Sequence, residues 1–404
     1  MLLLLAVDAT PAPGIKSALN LPLHTVQIPT SNEFNGFMHI VNVTIGSNNQ
    51  TVPLEFDLGS AVIWVNPDCQ QCEKQTKARC EQFPRYNVMT SKTSKLLDKS
   101  FNRTYGGYAA AGVYFTDDIK IGSVTVKQQQ IGLAAETSNF SMGLWGSGQG
   151  TDLGYPTVVQ SLSAQGQINS AAFSLDLRPV KSTGSLTFGG IDTKKYRCDL
   201  GRVPFQNFTQ QYYIHINGVG QTPPGKQPIS YPASIWNPEN NTEGTRVFID
   251  SGVPYNYLPQ YVFAAIGKDY PRAKEQFNEH GVPKFVVPCE APTTGTIDLT
   301  FGSKTVKIPY QDMVVNEYGT CYLGFALAPP GFYILGMPFL RGAYVVFDNE
   351  NREVWIGESD DCGSDVVPIG KGKDAVPIVA GCGCQASNYN LPVYAAPSAT
   401  ASVP

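Results

Sequence analysis

The plainest pattern in the chain is an alternation of apolar and polar positions through "VNVTIGSNNQTVPLEFDLGS", residues 41 to 60. A period of two predicts strands, and it sets Leu54, Phe56 and Leu58 on one face with Glu55 and Asp57 on the other. The second half repeats the pattern: "YYIHINGVG" and "TRVFIDSG" lead to Asp250, with Val247, Ile249 and Ser251 on the face opposite Phe248 and Asp250. Each aspartate is followed further on by an apolar segment holding glycine, "MGLWGSGQG" at 142 to 150 and "YILGMPFLRGAYVVFD" at 333 to 348. Both halves therefore read as strand, Asp-x-Gly turn, hairpins and a buried apolar strand, which predicts two related β-lobes. Turn-forming and charged residues cluster at 188 to 205, so the lobes are expected over 22–195 and 196–362. Small residues dominate the remainder, and 363–404 is expected to be a low-complexity tail, loosely ordered or draped on the surface.

Composition supports an all-β class. A chain of 404 residues suits two domains, 42% apolar residues suffice for packed cores, and only 15% are charged. With 39 glycines and 30 prolines, short strands and turns are favoured over long helices. A net charge of -4 and a pI near 5.6 argue against nucleic-acid and polybasic membrane roles. No apolar run is long enough to span a bilayer. The N-terminus "MLLLLAVDATPAPG" looks like the remnant of a secretory leader. Six sequons, at Asn42, Asn49, Asn102, Asn139, Asn207 and Asn240, accompany nine cysteines. Together they point to a disulfide-bearing glycoprotein of the secretory pathway, placed outside the cell, at its surface or in a vacuole.

Candidate chemistry narrows to the two aspartates. The spacing "CQQC" at 69 to 72 lacks a second ligand pair, so disulfides are expected rather than zinc, and an odd count leaves one thiol unpaired within the chain. His24, His39, His215 and His280 have no spacing suited to a metal or a triad. "GLWGSGQG" lacks the Lys-Ser/Thr of a phosphate loop. A lone Asp-x-Gly is ordinarily a turn cap. Two copies at the ends of matched strands can instead bring two carboxyls into one site, where Gly59 and Gly252 allow a sharp turn and the close approach of another backbone.

The chain resembles the pepsin-like aspartic proteases from about residue 30 to about residue 360. The resemblance is carried by "FDLGSAVIWV", "TYGGYAAAGVYFTDDIKIG", "GLWGSG", "FSLDL…GSLTFGGID", "FIDSG" and "YILGMPFLRGAYVVFD", in that order. It implies a bilobal fold with a long cleft and a dyad of Asp57 and Asp250. Gly59, Ser60, Ser251, Gly252 and Trp64 would support the dyad, with Leu144 on the cleft wall. Tyr105 would be the flap tyrosine, hydrogen-bonding to the strand that carries Trp64. The resemblance also implies a Cys289–Cys321 disulfide, a monomer, and an endopeptidase that needs no metal or cofactor and takes a peptide between its lobes. Three departures keep a non-proteolytic alternative open, with a small molecule in the cleft or an impaired-protease binding role. Leu58 stands where the family carries a hydroxyl that cross-links the two loops, Val253 removes a donor expected for Asp250, and about 36 residues from Leu21 to Asp57 leave no room for a prosegment. Losing that donor should favour the proton on Asp250.

Overall fold

The structure, a computed structural model, describes residues 25–33, 36–180, 182–205, 209–277 and 282–384. His24, His280, the Asn207 sequon, the leader-like segment and residues 385–404 lie outside them. The alternating run folds as antiparallel strands Met38–Ile45 and Gln50–Asp57, with Val43 opposite Val52 and Val41 opposite Leu54. Leu54, Phe56 and Leu58 enter one core cluster, as period two requires for a sheet with a single buried face.

The described residues form one thirteen-stranded sheet and four smaller ones. The large sheet joins the two halves of the chain. Toward one edge it pairs Ala172–Asp176 of the first half with Ala343–Asp348 of the second, Val345 facing Leu175, and Glu353–Glu358 and Gly201–Pro204 complete that edge. A floor is thereby shared under the cleft.

Each half builds the same device around its aspartate. Gln50–Asp57 runs parallel to Gly143–Gly146, and Ile63–Val65 pairs antiparallel to that second strand on its other edge. In the second half Thr245–Ile249 runs parallel to Ile334–Leu335, whose other neighbour is Asn256–Leu258. The turn after each aspartate is thus held between a parallel and an antiparallel pairing. Backbone bonds lock it: Ser147 N–H donates to the Asp57 carbonyl at 2.7 Å, and Asp250 N–H donates to the Leu335 carbonyl at 3.0 Å.

Residues 363–384 differ from the tail expected of them. Val366–Pro368 pairs with Gly190–Asp192, and Ile369 and Val376 are buried with Tyr196, Tyr344 and Trp355. Disulfides Cys198–Cys384 and Cys362–Cys382 tether this segment, while Cys69–Cys80 and Cys289–Cys321 close loops elsewhere and Cys72 keeps a free thiol. A stretch poor in large residues is ordered here by crosslinks and by a strand partner about 175 positions away. Among the described residues no helix is long and apolar enough to cross a membrane.

Candidate active site

Asp57 and Asp250 end their strands on either side of the junction between the halves, 5% and 8% exposed. Their carboxyls approach one another, and a Cβ added at Gly252 would meet an oxygen of each. The glycines explain how they come so close. A Cβ on Gly59 would run into Asp250 Oδ2, and one on Gly252 would stand 2.7 Å from Asp57 Oδ1. The Asp-x-Gly pattern predicts another backbone at these glycines; what approaches is the carboxyl of the opposite half, and neither glycine has a positive φ. Their amides point inward as well, Gly59 N–H to Asp57 Oδ1 at 2.8 Å and Gly252 N–H to Asp250 Oδ1 at 2.7 Å.

The two aspartates are not equivalent. Ser60 donates its hydroxyl to Asp57 Oδ2 at 2.5 Å, whereas Val253, the matching residue, has no hydroxyl to offer Asp250. Burial raises the pKa of Asp57, while the Ser60 hydroxyl and the Gly59 amide hold it back. Burial lifts Asp250 well above the usual carboxyl range, and the neighbouring Asp57 charge lifts it further. Two carboxyls in contact cannot both ionise, so one proton is shared and Asp250 is its preferred seat.

Beneath the pair, the fully buried Ser251 crosses from one loop to the other. Its hydroxyl accepts from Leu58 N–H at 3.1 Å and donates to the Phe56 carbonyl at 2.6 Å. Leu58 returns no such bond and packs instead in the core beside Phe56. The loops are cross-linked from one side and still hold the carboxyls together.

Above the pair, Lys95–Tyr105 and Tyr108–Ile121 form a hairpin turning at Gly106 and Gly107, whose φ values of +53° and +104° favour glycine. Tyr105 is drawn toward the first aspartate loop, where its hydroxyl accepts from Trp64 Nε1 at 3.0 Å. Trp64 and Leu144 belong to one apolar cluster, with Tyr105 and Phe140 packed on it. Two cavities near the Cys69–Cys80 disulfide, both lined by Cys80, Phe83 and Arg85, contain neither Asp57 nor Asp250. Alternation puts Glu55 on the Asp57 side of the strand, where no motif singles it out. It lies against the dyad, almost buried.

Paired carboxyls of unequal basicity under a hairpin are an arrangement for moving protons at a bound chain. Residues 38–359 match the model of the family described as eukaryotic aspartyl protease. This chain belongs to that family. Among curated relatives, rhizopuspepsin-2 of Rhizopus niveus is 30% identical over 346 residues, covering 82% of this chain and 81% of the relative. The probable aspartic-type endopeptidase opsB of Aspergillus oryzae is 29% identical over 366 residues, 84% of this chain and 72% of its own length. Secreted aspartic protease 3 of Candida albicans is 27% identical over 365 residues, with coverages of 86% and 85%. The family match ends just before the disulfide-tethered segment 363–384.

Proposed function

We propose that this chain is an aspartic-type endopeptidase that cleaves peptide bonds with a water activated between Asp57 and Asp250. The observation that carries this reading is the close pair of buried carboxyls, one from each half of the chain. Ionised Asp57, stabilised by Ser60 and Gly59, takes a proton from the water as its oxygen attacks the scissile carbonyl. Protonated Asp250 donates to the carbonyl oxygen, whose growing negative charge it neutralises. The tetrahedral adduct collapses as the proton gained by Asp57 passes to the departing nitrogen and a hydroxyl of the adduct returns a proton to Asp250, so the dyad is restored and no covalent enzyme intermediate forms. Tyr105, held by Trp64, covers the bound peptide and limits water.

In the same reading residues 22–195 and 196–362 are the two lobes, the protein acts as a monomer, and it works in the secretory pathway or beyond it. Four disulfides and relatives named as secreted proteases support that location. Glycans on the exposed Asn42, Asn49, Asn102 and Asn240 fit it too. Leu58 and Val253 motivated the non-proteolytic alternative. With Ser251 bridging the loops and the carboxyls in contact, peptide hydrolysis has the stronger support.

Digestion of denatured haemoglobin between pH 3 and 6 tests the reading. We expect cleavage by the wild type, inhibition by pepstatin, and loss of at least a thousandfold in rate for Asp57→Asn, within the range that a positioned acid–base group supplies. Intact haemoglobin after incubation with pepstatin-binding enzyme would leave a cleft without proteolysis, and the reading would be wrong.

A further inference from the structure

The run from Gly146 to Gly150, rich in glycine yet without the residues of a phosphate loop, takes no part in the dyad mechanism. It joins three segments of the chain. Gly148 N–H donates to the Ser60 carbonyl at 2.7 Å, and Gln149 N–H donates to the Gln210 carbonyl at 2.8 Å. The Gln149 side chain donates through Nε2 to the Gln211 carbonyl at 2.7 Å, which also accepts from the Thr209 hydroxyl at 2.7 Å. Gln211 reaches back to the first aspartate loop, where its Nε2 donates to the Gly59 carbonyl at 3.3 Å. The aspartate loop, the glycine run and residues 209–211 of the second half thus close a ring of hydrogen bonds. A Cβ on Gly148 would stand 2.5 Å from the Gln210 carbonyl oxygen and 2.9 Å from that of Ser60, so glycine is what lets the ring close. Tyr212, fully buried, adds a second tie, its hydroxyl donating to the Ser147 carbonyl at 2.9 Å.

The ring ends on the Gly59–Ser60 peptide unit, and the groups flanking that unit are the ones that bond Asp57. Gly59 N–H reaches Asp57 at 2.8 Å from one side, and the Ser60 hydroxyl reaches it at 2.5 Å from the other. The Ser60 N–H, within the unit, also helps to hold the Asp57 pKa down. A carbonyl that accepts a hydrogen bond makes the N–H of its own peptide a stronger donor. The other titratable groups facing Asp57 are Asp250, Glu55 and Tyr105. Beside residues 209–213 stand Asp152, held by Gln210 Nε2 at 2.6 Å, and Arg246, over the Tyr213 ring. Among the described residues, the side chain bonded to the Gly59 carbonyl is that of Gln211.

On the endopeptidase reading above, we infer that Gln211 is a positioning residue: by holding the Gly59 carbonyl from the second half of the chain, it sets the peptide unit that keeps Asp57 ready to take the proton of the water. Without this donor the peptide dipole at ionised Asp57 weakens, and Asp57 becomes easier to protonate.

The test is kcat/KM against pH for a peptide spanning a haemoglobin cleavage site and free of ionisable side chains, since that ratio reports the groups of the free enzyme. Active enzyme is counted by pepstatin titration. For Gln211→Met, similar in length but without a donor, the acid limb should move up by about 0.3 pH unit, a fifth of a charge-assisted hydrogen bond, with the alkaline limb in place. Gln211→Ala should shift it in the same direction, and it decides the matter if the methionine variant loses pepstatin binding. Gln210→Met, which breaks the neighbouring bond to Asp152, should leave both limbs where they are. An acid limb that overlays the wild type in the Gln211 variants, or an equal shift in Gln210→Met, overturns the inference and leaves the peptidase reading intact. Failure of the wild type to cut either haemoglobin or the peptide overturns both.

Discussion

Ser60 and Val253 stand three positions after the two aspartates, and the difference between a hydroxyl and two methyls sets which carboxyl holds the proton. Ser60→Ala removes a donor to ionised Asp57, so its pKa should rise and the acid limb of kcat/KM against pH should move to higher pH. Val253→Ser offers a donor to ionised Asp250 and should draw the alkaline limb down. A Ser60→Ala profile that overlays the wild type would show that the hydroxyl does not hold Asp57 ionised. Ser251 has a different burden, since its side chain bonds both the Leu58 N–H and the Phe56 carbonyl across the interface. Leaving two buried backbone groups unpaired costs about 1 to 3 kcal/mol each, so Ser251→Ala should lose roughly 2 to 6 kcal/mol of unfolding free energy in urea. A loss under about 0.5 kcal/mol would mean that the loops are held by other contacts. At this scale the sequence is informative about type and silent about isolation. Alternation puts Glu55 beside Asp57, but only three-dimensional packing shows that, among the described residues, the charges acting on it are those of Asp57 and Asp250.

Among the elements, the strands carrying the aspartates and the flap hairpin were legible because period two, Asp-x-Gly and Gly-Gly are local signals. Segment 363–384 was not, because its order comes from distant partners. Asp192 receives Ser364 Oγ at 2.6 Å and Asp365 N–H at 2.8 Å, and Tyr196 donates its hydroxyl to the Val379 carbonyl at 2.8 Å. Every one of these contacts falls on the stretch between the halves, so the segment braces that link from outside. Composition shows small residues; it does not show which cysteine they bring to Cys198. Replacing Cys198 and Cys384 by serine opens a crosslink of sequence separation 186 and should lower stability by roughly 2 to 5 kcal/mol in calorimetry. An unchanged melting temperature would mean that pairing with Gly190–Asp192 holds the brace unaided.

For the whole molecule, burial of titratable groups sets a stability window. Burial raises Asp176 to about 7 and Asp312 to about 6, and it raises Asp250 and Glu55 as well. A raised folded-state pKa means that this stability is full below the unfolded carboxyl value near pH 4 and is lost as pH rises through about 6 to 7. His39 acts from the other side. Burial lowers it to about 3, so its contribution is full above pH 6.5 and is lost as pH falls toward 3. Melting temperature against pH should therefore peak between about 4 and 6 and fall on both sides, and His39→Phe should flatten the acid side. A curve still rising at pH 8 would contradict these assignments. The central claim is the single proton between Asp57 and Asp250, and neutron diffraction from a deuterated crystal at pH 5 observes it directly. The account predicts one deuteron between the two carboxyls, bonded to Asp250. Nuclear density showing a deuteron on each carboxyl, on neither, or two carboxyls out of contact would contradict it.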